Sequence, residues 1–281
     1  MRRVLRITSS GSREVRGLLK LILCEFAKLK RKPLIFVALF LSVLIPVAYA
    51  LLLSEAQNSR QAVEGIMSCL FQLSAYLLLM PAEVVLMCHL LFEEQDNDTL
   101  KNLLTIPVTK TRLAIAKMLV MLIFGVLFMA VGGLASIVIV LFQGWEPVGF
   151  WPLFWVGLGE SFIMWAGALP CVLFLAAINR SYIISVMITF FYSIMNYLLA
   201  TSEPLLTQPF GLNPGTLLPG PLSLRWVFQF YDKSAPSVQM VALLERISPF
   251  FLSTGQAFCV AAAEAVLFLI LIAVVYKRQK A

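Results

Sequence analysis

Six stretches of the chain are apolar for long enough to cross a hydrocarbon core of about 30 Å, which takes ~20 helical residues. They run from Leu34 to Ser54, Leu70 to Phe92, Leu113 to Phe142, Trp151 to Ile178, Tyr182 to Thr201 and Gly255 to Tyr276. Each predicts a membrane-spanning helix. Ahead of the first, SREVRGLLKLILCEFAKLKRK carries Val15, Leu18, Leu19, Ile22, Phe26 and Leu29 at helical spacing. Arg13, Arg16, Lys20, Lys28 and Arg31 fall largely off that stripe. A basic helix with one apolar face lies in the headgroup layer, where anionic lipid holds its cations. Between the fifth and sixth stretches, Ser202 to Thr254 holds seven of the fourteen prolines. QPFGLNPGTLLPGP cannot continue a helix, because proline lacks the amide donor and fixes its backbone angle. LSLRWVFQFY and SVQMVALLERISPFFL are apolar enough to rest on the outer leaflet or dip into it. The expected fold is therefore all-α and integral to the membrane. It has six transmembrane helices, an N-terminal amphipathic elbow helix and a folded outer segment between spans five and six.

Composition agrees with that pattern. Hydrophobic residues make up 60% of the 281, charged residues only 13%, and the mean hydropathy is +0.89. A soluble domain sits nearer half apolar and a quarter charged. The net charge of +7 would suit nucleic acid, but its distribution points elsewhere. With the N-terminus inside, eighteen of the 22 Lys and Arg fall in inner segments and four in outer ones. Cationic inner loops set orientation, so both termini are expected in the cytoplasm and no nucleic-acid partner is. The first 33 residues hold ten of these cations and no cleavable apolar core, so the start reads as cytoplasmic and retained. Cys24, Cys69, Cys88, Cys171 and Cys259 form no C-x-x-C pair and read as small apolar fillers. The domain plan is a cytoplasmic segment over 1–33 and a six-span domain over 34–281. The latter contains an inner loop at 93–112 and an outer cap at 202–254.

The densest charge lies in that inner loop, EEQDNDTLKNLLTIPVTKTR, with four acids within six residues. No G-x-x-x-x-G-K-[ST] loop for phosphate occurs in the chain, and Ser, His and Asp form no hydrolase motif. His89 and Glu93 share a helix face at four-residue spacing, but two ligands without a third make a poor metal site. The acidic run superficially resembles the magnesium-binding loops of membrane prenyltransferases. Those need a second acidic loop, and the other inner loop, Asn179-Arg180-Ser181, has no acid. No catalytic residue, metal or cofactor is assigned to this chain.

Three acids lie inside the spans: Glu83, Glu160 and Glu264. At ~1.5 Å per residue, Glu83 and Glu160 fall roughly 14 Å from a membrane face, and Glu264 about as deep from the outside. An ionised carboxylate there costs several kcal/mol unless it meets water or a partner, so a substrate pathway is one reading. A protonated carboxyl bonding between helices is the other.

Within the loop, Asp98 can cap a short helix and place its charge at the positive end. Leu100, Leu103 and Leu104 share a face, and Pro107 ends the helix. Such a helix is shaped to enter a groove on another protein. CEFAKLKRK at Cys24–Lys32 and EEQDNDTLKNLLTIPVTKTRLAIAK at Glu93–Lys117 resemble the membrane subunits of type-2 ABC exporters. The likeness is to the short permeases that export bacitracin or confer immunity to lantibiotics. It covers the six-span plan, with the first dozen residues as an extension and the outer cap least alike. The resemblance implies an elbow helix, and a cytoplasmic coupling helix carrying Glu94, Asp98, Thr99, Leu103, Leu104 and Pro107 that docks on an ATPase. It further implies two ATPase subunits, which hold the ATP and magnesium, and a second permease, identical or paralogous. An amphiphilic peptide or drug as substrate and a bacterial cell membrane complete the picture. An ion-driven secondary transporter and, third, a membrane enzyme are the alternatives.

Overall fold

A computed structural model of the chain describes residues 17, 19–29, 32–52, 56, 58–96, 109–178, 182–231 and 238–278. Among these there is no strand. Residues 19–29 form α1, whose Leu29 is buried and whose Ile22 and Phe26 pack on the bundle, while Leu19 and Leu23 stay exposed. Val15 and Leu18, the start of the expected stripe, lie outside the described residues.

The six long apolar helices are α2 (Pro33–Leu52), α3 (residues 59–96), α4 (Lys110–Phe142), α5 (Phe150–Ile178), α6 (Tyr182–Ala200) and α11 (Thr254–Arg278). Five of them begin and end within a few residues of the expected spans. The exception is α3, which starts at Ser59 and not at Leu70. Asn58 caps it, its side chain accepting from the Gln61 amide at 2.9 Å. The charges that made SRQAVEGIMSC read as loop satisfy one another, because Arg60 pairs with the buried Glu64 at 2.6 Å. Arg60 also lies against Gly149, whose φ of +75 and lack of a Cβ let the α4–α5 turn pass close to the guanidinium. Over Leu70–Leu79 the helix is a π-helix, wider than the α-helical segments Ser59–Cys69 and Met80–Asp96 on either side.

Helices α3 and α5 form the interior, and α2, α6 and α11 present apolar faces outward. Phe36 and Phe40 on α2, Met187 and Phe191 on α6, and Ile270 on α11 are exposed, as residues facing lipid are. Three hydroxyls inside the bundle are satisfied by their own helices: Ser136 donates to Gly132, Thr189 to Ser185 and Ser161 to Leu158. Pro170 interrupts the ladder of α5, and nearby the Gly167 carbonyl accepts from the Tyr192 hydroxyl of α6 at 2.6 Å.

The segment between α6 and α11 contains α7 (Glu203–Leu206), α8 (Pro214–Leu217), α9 (Pro219–Val227) and α10 (Val238–Ile247). The prolines break it where expected: Leu218, between α8 and α9, is extended. Every residue of α9 is buried. This helix is inserted among α5, α6 and α11.

Candidate functional site

The seat of α9 is a seam of close backbone approach and buried polar contacts. Two glycines on α5 receive it, since a Cβ at Gly159 would stand 2.7 Å from the Trp226 ring and one at Gly167 would overlap Pro219. Its own Gly220 lies on α6, where a Cβ would come within 2.5 Å of the Asn196 carbonyl. The Tyr76 hydroxyl, from the π-helical part of α3, donates to the Gly220 carbonyl at 2.9 Å. The Ser193 hydroxyl of α6 donates to the Tyr76 carbonyl. Trp226 closes the other side, donating to Thr254 at 3.2 Å and packing edge-on against Phe258.

Glu160 lies in this seam. It is fully buried, and its Oε1 accepts from the Ser223 hydroxyl of α9 at 2.8 Å. Its Oε2 has no hydrogen-bond partner among the described residues. Glu83 is also fully buried, and there neither carboxyl oxygen has such a partner. Its Oε1 fills the space left by Gly125 of α4, 2.5 Å from where a Cβ would stand, with Ser161 of α5 on the other side. Glu264 on α11 is only partly buried, within electrostatic reach of Tyr192 on α6. The structure thus encloses two of the three span acids fully and the third only in part. Among the described residues no three His, Cys, Asp or Glu side chains converge as metal ligands.

Glu94 lies in the last turns of α3, within the segment Met80–Asp96. Asp98, Thr99, Leu103, Leu104 and Pro107 lie outside the described residues. Thr109 caps the helix that follows, accepting from the Arg112 amide at 3.4 Å.

Two buried cations escape a reading of the sequence. Arg225 on α9 is fully buried, donating to the carbonyls of Phe250 at 2.9 Å and Gly215 at 2.8 Å and to Thr216 at 3.4 Å. Burial pushes its pKa down from the usual value, and nearby burial pushes the Tyr231 hydroxyl well up. Lys117, one of the eighteen inner cations, is fully buried on α4. Hydropathy gave no sign of either, because the carbonyls they bind lie 10 to 27 residues away, on other elements. The one available hint was a lone cation within an otherwise apolar run.

Over residues 21–196 the chain is similar to a family described as ABC-2 family transporter protein. The match runs from α1 to α6 and stops short of α9 and α11. Comparison with curated proteins finds no match.

Proposed function

Since this chain belongs to the ABC-2 transporter family, as the match over 21–196 shows, we propose that it is the permease of an exporter that expels an amphiphilic antimicrobial peptide or antibiotic. The membrane component of such a transporter is not itself catalytic, and it associates with an ABC ATPase subunit. In this reading ATP and magnesium are held by two ATPase copies, and a second permease, identical or paralogous, completes the pathway. The family match carries the permease part of this reading, and the antimicrobial cargo rests on the resemblance of residues 24–32 and 93–117 to peptide-exporting permeases.

The coupling step falls to that loop. Leu103 and Leu104 enter a groove on the ATPase, and Glu94, Asp98, Thr99 and Pro107 complete the docking element. Closure of the ATPases on ATP draws the two coupling loops together and moves α3 and α4, which flank each loop. Cargo is received by the span acids. Glu264, partly exposed on α11, meets cationic cargo first, whereas Glu83 and Glu160 meet it only when α3, α5 and α9 separate. The protein then works in a bacterial cell membrane with both termini inside, protecting the cell from its substrate.

The test is the pair Leu103→Asp and Leu104→Asp. Co-purification with the ATPase should be lost while the permease still inserts and folds. An ATPase that remains bound to the double variant would remove the loop from the coupling role.

A further inference from the structure

The end of α4 that follows the coupling loop is tied to three other helices at a single turn. The Lys117 ammonium donates to the Leu90 carbonyl of α3. It also stands 5.9 Å from the ring centroid of Tyr276 on α11, within reach of a cation–π attraction, and Tyr276 is itself buried. One residue on, the Met118 carbonyl accepts from the Trp165 indole of α5 at 2.9 Å. The attraction to α3 has an electrostatic ground, since a hydrogen bond from a charged ammonium to a carbonyl is stronger than one between neutral groups.

We infer that Lys117 is a positioning residue for coupling, which locks the ends of α3 and α4 that flank the loop, together with α11, into one body. Leu90 and Lys117 each lie about 10 Å up their helices from the ends at Asp96 and Lys110, at ~1.5 Å per residue. Without a tie at that height, force on the loop is absorbed by splaying α3 from α4. With it, α3, α4 and α11 move together, and the deformation passes on toward the π-helical Leu70–Leu79 beyond. A methionine would fill a similar volume without the cost of burying a charge, so what the lysine adds is the link between helices. Lys117 is fully buried within the bundle. The inference rests on the permease reading given above.

Its test uses the complex of permease and ATPase in lipid nanodiscs. Cys24 and Cys259 are the two exposed thiols, so Cys24→Ser leaves Cys259, on α11, as the accessible site for a bimane label. The readout is the emission shift between ADP and ATP with vanadate. In Lys117→Met the shift should fall by about threefold or more, the size expected when a coupling contact is removed. Melting temperature and ATPase retention should be kept, and Lys117→Arg should restore the shift. A Lys117→Met shift equal to that of the parent, or an arginine that fails to restore it, overturns the inference. Should the methionine variant not fold, Tyr276→Leu against Tyr276→Phe decides, with only the phenylalanine expected to keep the shift. A parent complex that binds no ATPase, or that shows no nucleotide-dependent shift, overturns the permease reading and the inference with it.

Discussion

Glu160 Oε1 accepts a 2.8 Å hydrogen bond from the Ser223 hydroxyl, joining the middle of α5 to α9 across 63 residues of chain. The bond connects a helix inside the family-matched region to a segment beyond it. It has no aqueous competitor, because both residues are fully buried.

Removing that donor should be costly. In Ser223→Ala both oxygens of a buried carboxyl are left without a partner, a penalty of about 1–3 kcal/mol. The melting temperature of the purified protein should fall by several degrees, and Ser223→Thr, which keeps the hydroxyl, should fall less. Glu160→Gln can still accept through its amide oxygen and should cost about 1 kcal/mol or less. A thermal scan of the three variants is the check, and equal melting of Ser223→Ala and wild type would mean the bond contributes no stability.

The fit of α9 into its seat gives a second prediction. A methyl at Gly220 meets the Asn196 carbonyl at 2.5 Å and the Ala200 Cβ at 3.0 Å, both belonging to a packed helix that cannot rotate away. Gly220→Ala should therefore destabilise by about 1–3 kcal/mol, as overpacking does. Gly255, within α11, has open space where its Cβ would be. There Gly255→Ala should be neutral or gain up to ~1 kcal/mol from helix propensity. Opposite signs in one urea or thermal series would establish the close approach.

The spans were legible because a membrane asks for one thing, about twenty apolar residues in a row, and hydropathy reads that directly. Polar residues that find partners defeat the same reading. Arg60 and Glu64 look like a loop until they are seen to pair, and so α3 begins eleven residues before its first long apolar run. LSLRWVFQFY reads as apolar enough to rest on the outer leaflet or dip into it, and what hides the burial of its Arg225 is that the carbonyls of Gly215 and Phe250 receive the guanidinium. Lys117 has the same history, its ring partner Tyr276 being 159 residues away. The span acids could be found by depth, but which of them is enclosed depends on Gly125, Ser223 and the placing of α9. None of these is near in sequence.

Orientation is testable at two exposed positions. Leu212, in the outer segment, is 94% exposed, and Lys277 lies exposed at the end of α11. In a cysteine-free background Leu212→Cys should react with an impermeant maleimide on intact cells, and Lys277→Cys only after permeabilisation. The charge bias of eighteen to four is the basis for this expectation. The reverse labelling would invert the topology and carry the loop at 93–112 to the wrong side for an ATPase.

The acids give the last prediction, in which enclosure and exposure separate. A carboxylate that meets cargo should matter for a cationic peptide and little for a neutral one, because only the former gains from the local field. A carboxyl that serves only packing should affect both alike, through the amount of folded protein. Glutamine keeps the shape and the hydrogen-bonding capacity, so it removes the charge and little else. Glu264→Gln, at the partly exposed site on α11, should lower resistance to a cationic peptide more than to a neutral antibiotic, with expression and melting temperature unchanged. Glu83→Gln should show the same selectivity if cargo reaches the interior as α3 and α5 part. It should instead change resistance to the two compounds alike, with no gain in melting temperature, if the carboxyl is only a buried group without a hydrogen-bond partner among its described neighbours. Killing curves for the two compounds, beside a thermal scan of each variant, distinguish these outcomes. Equal loss against both compounds would take the acids out of the pathway and leave them as parts of the bundle.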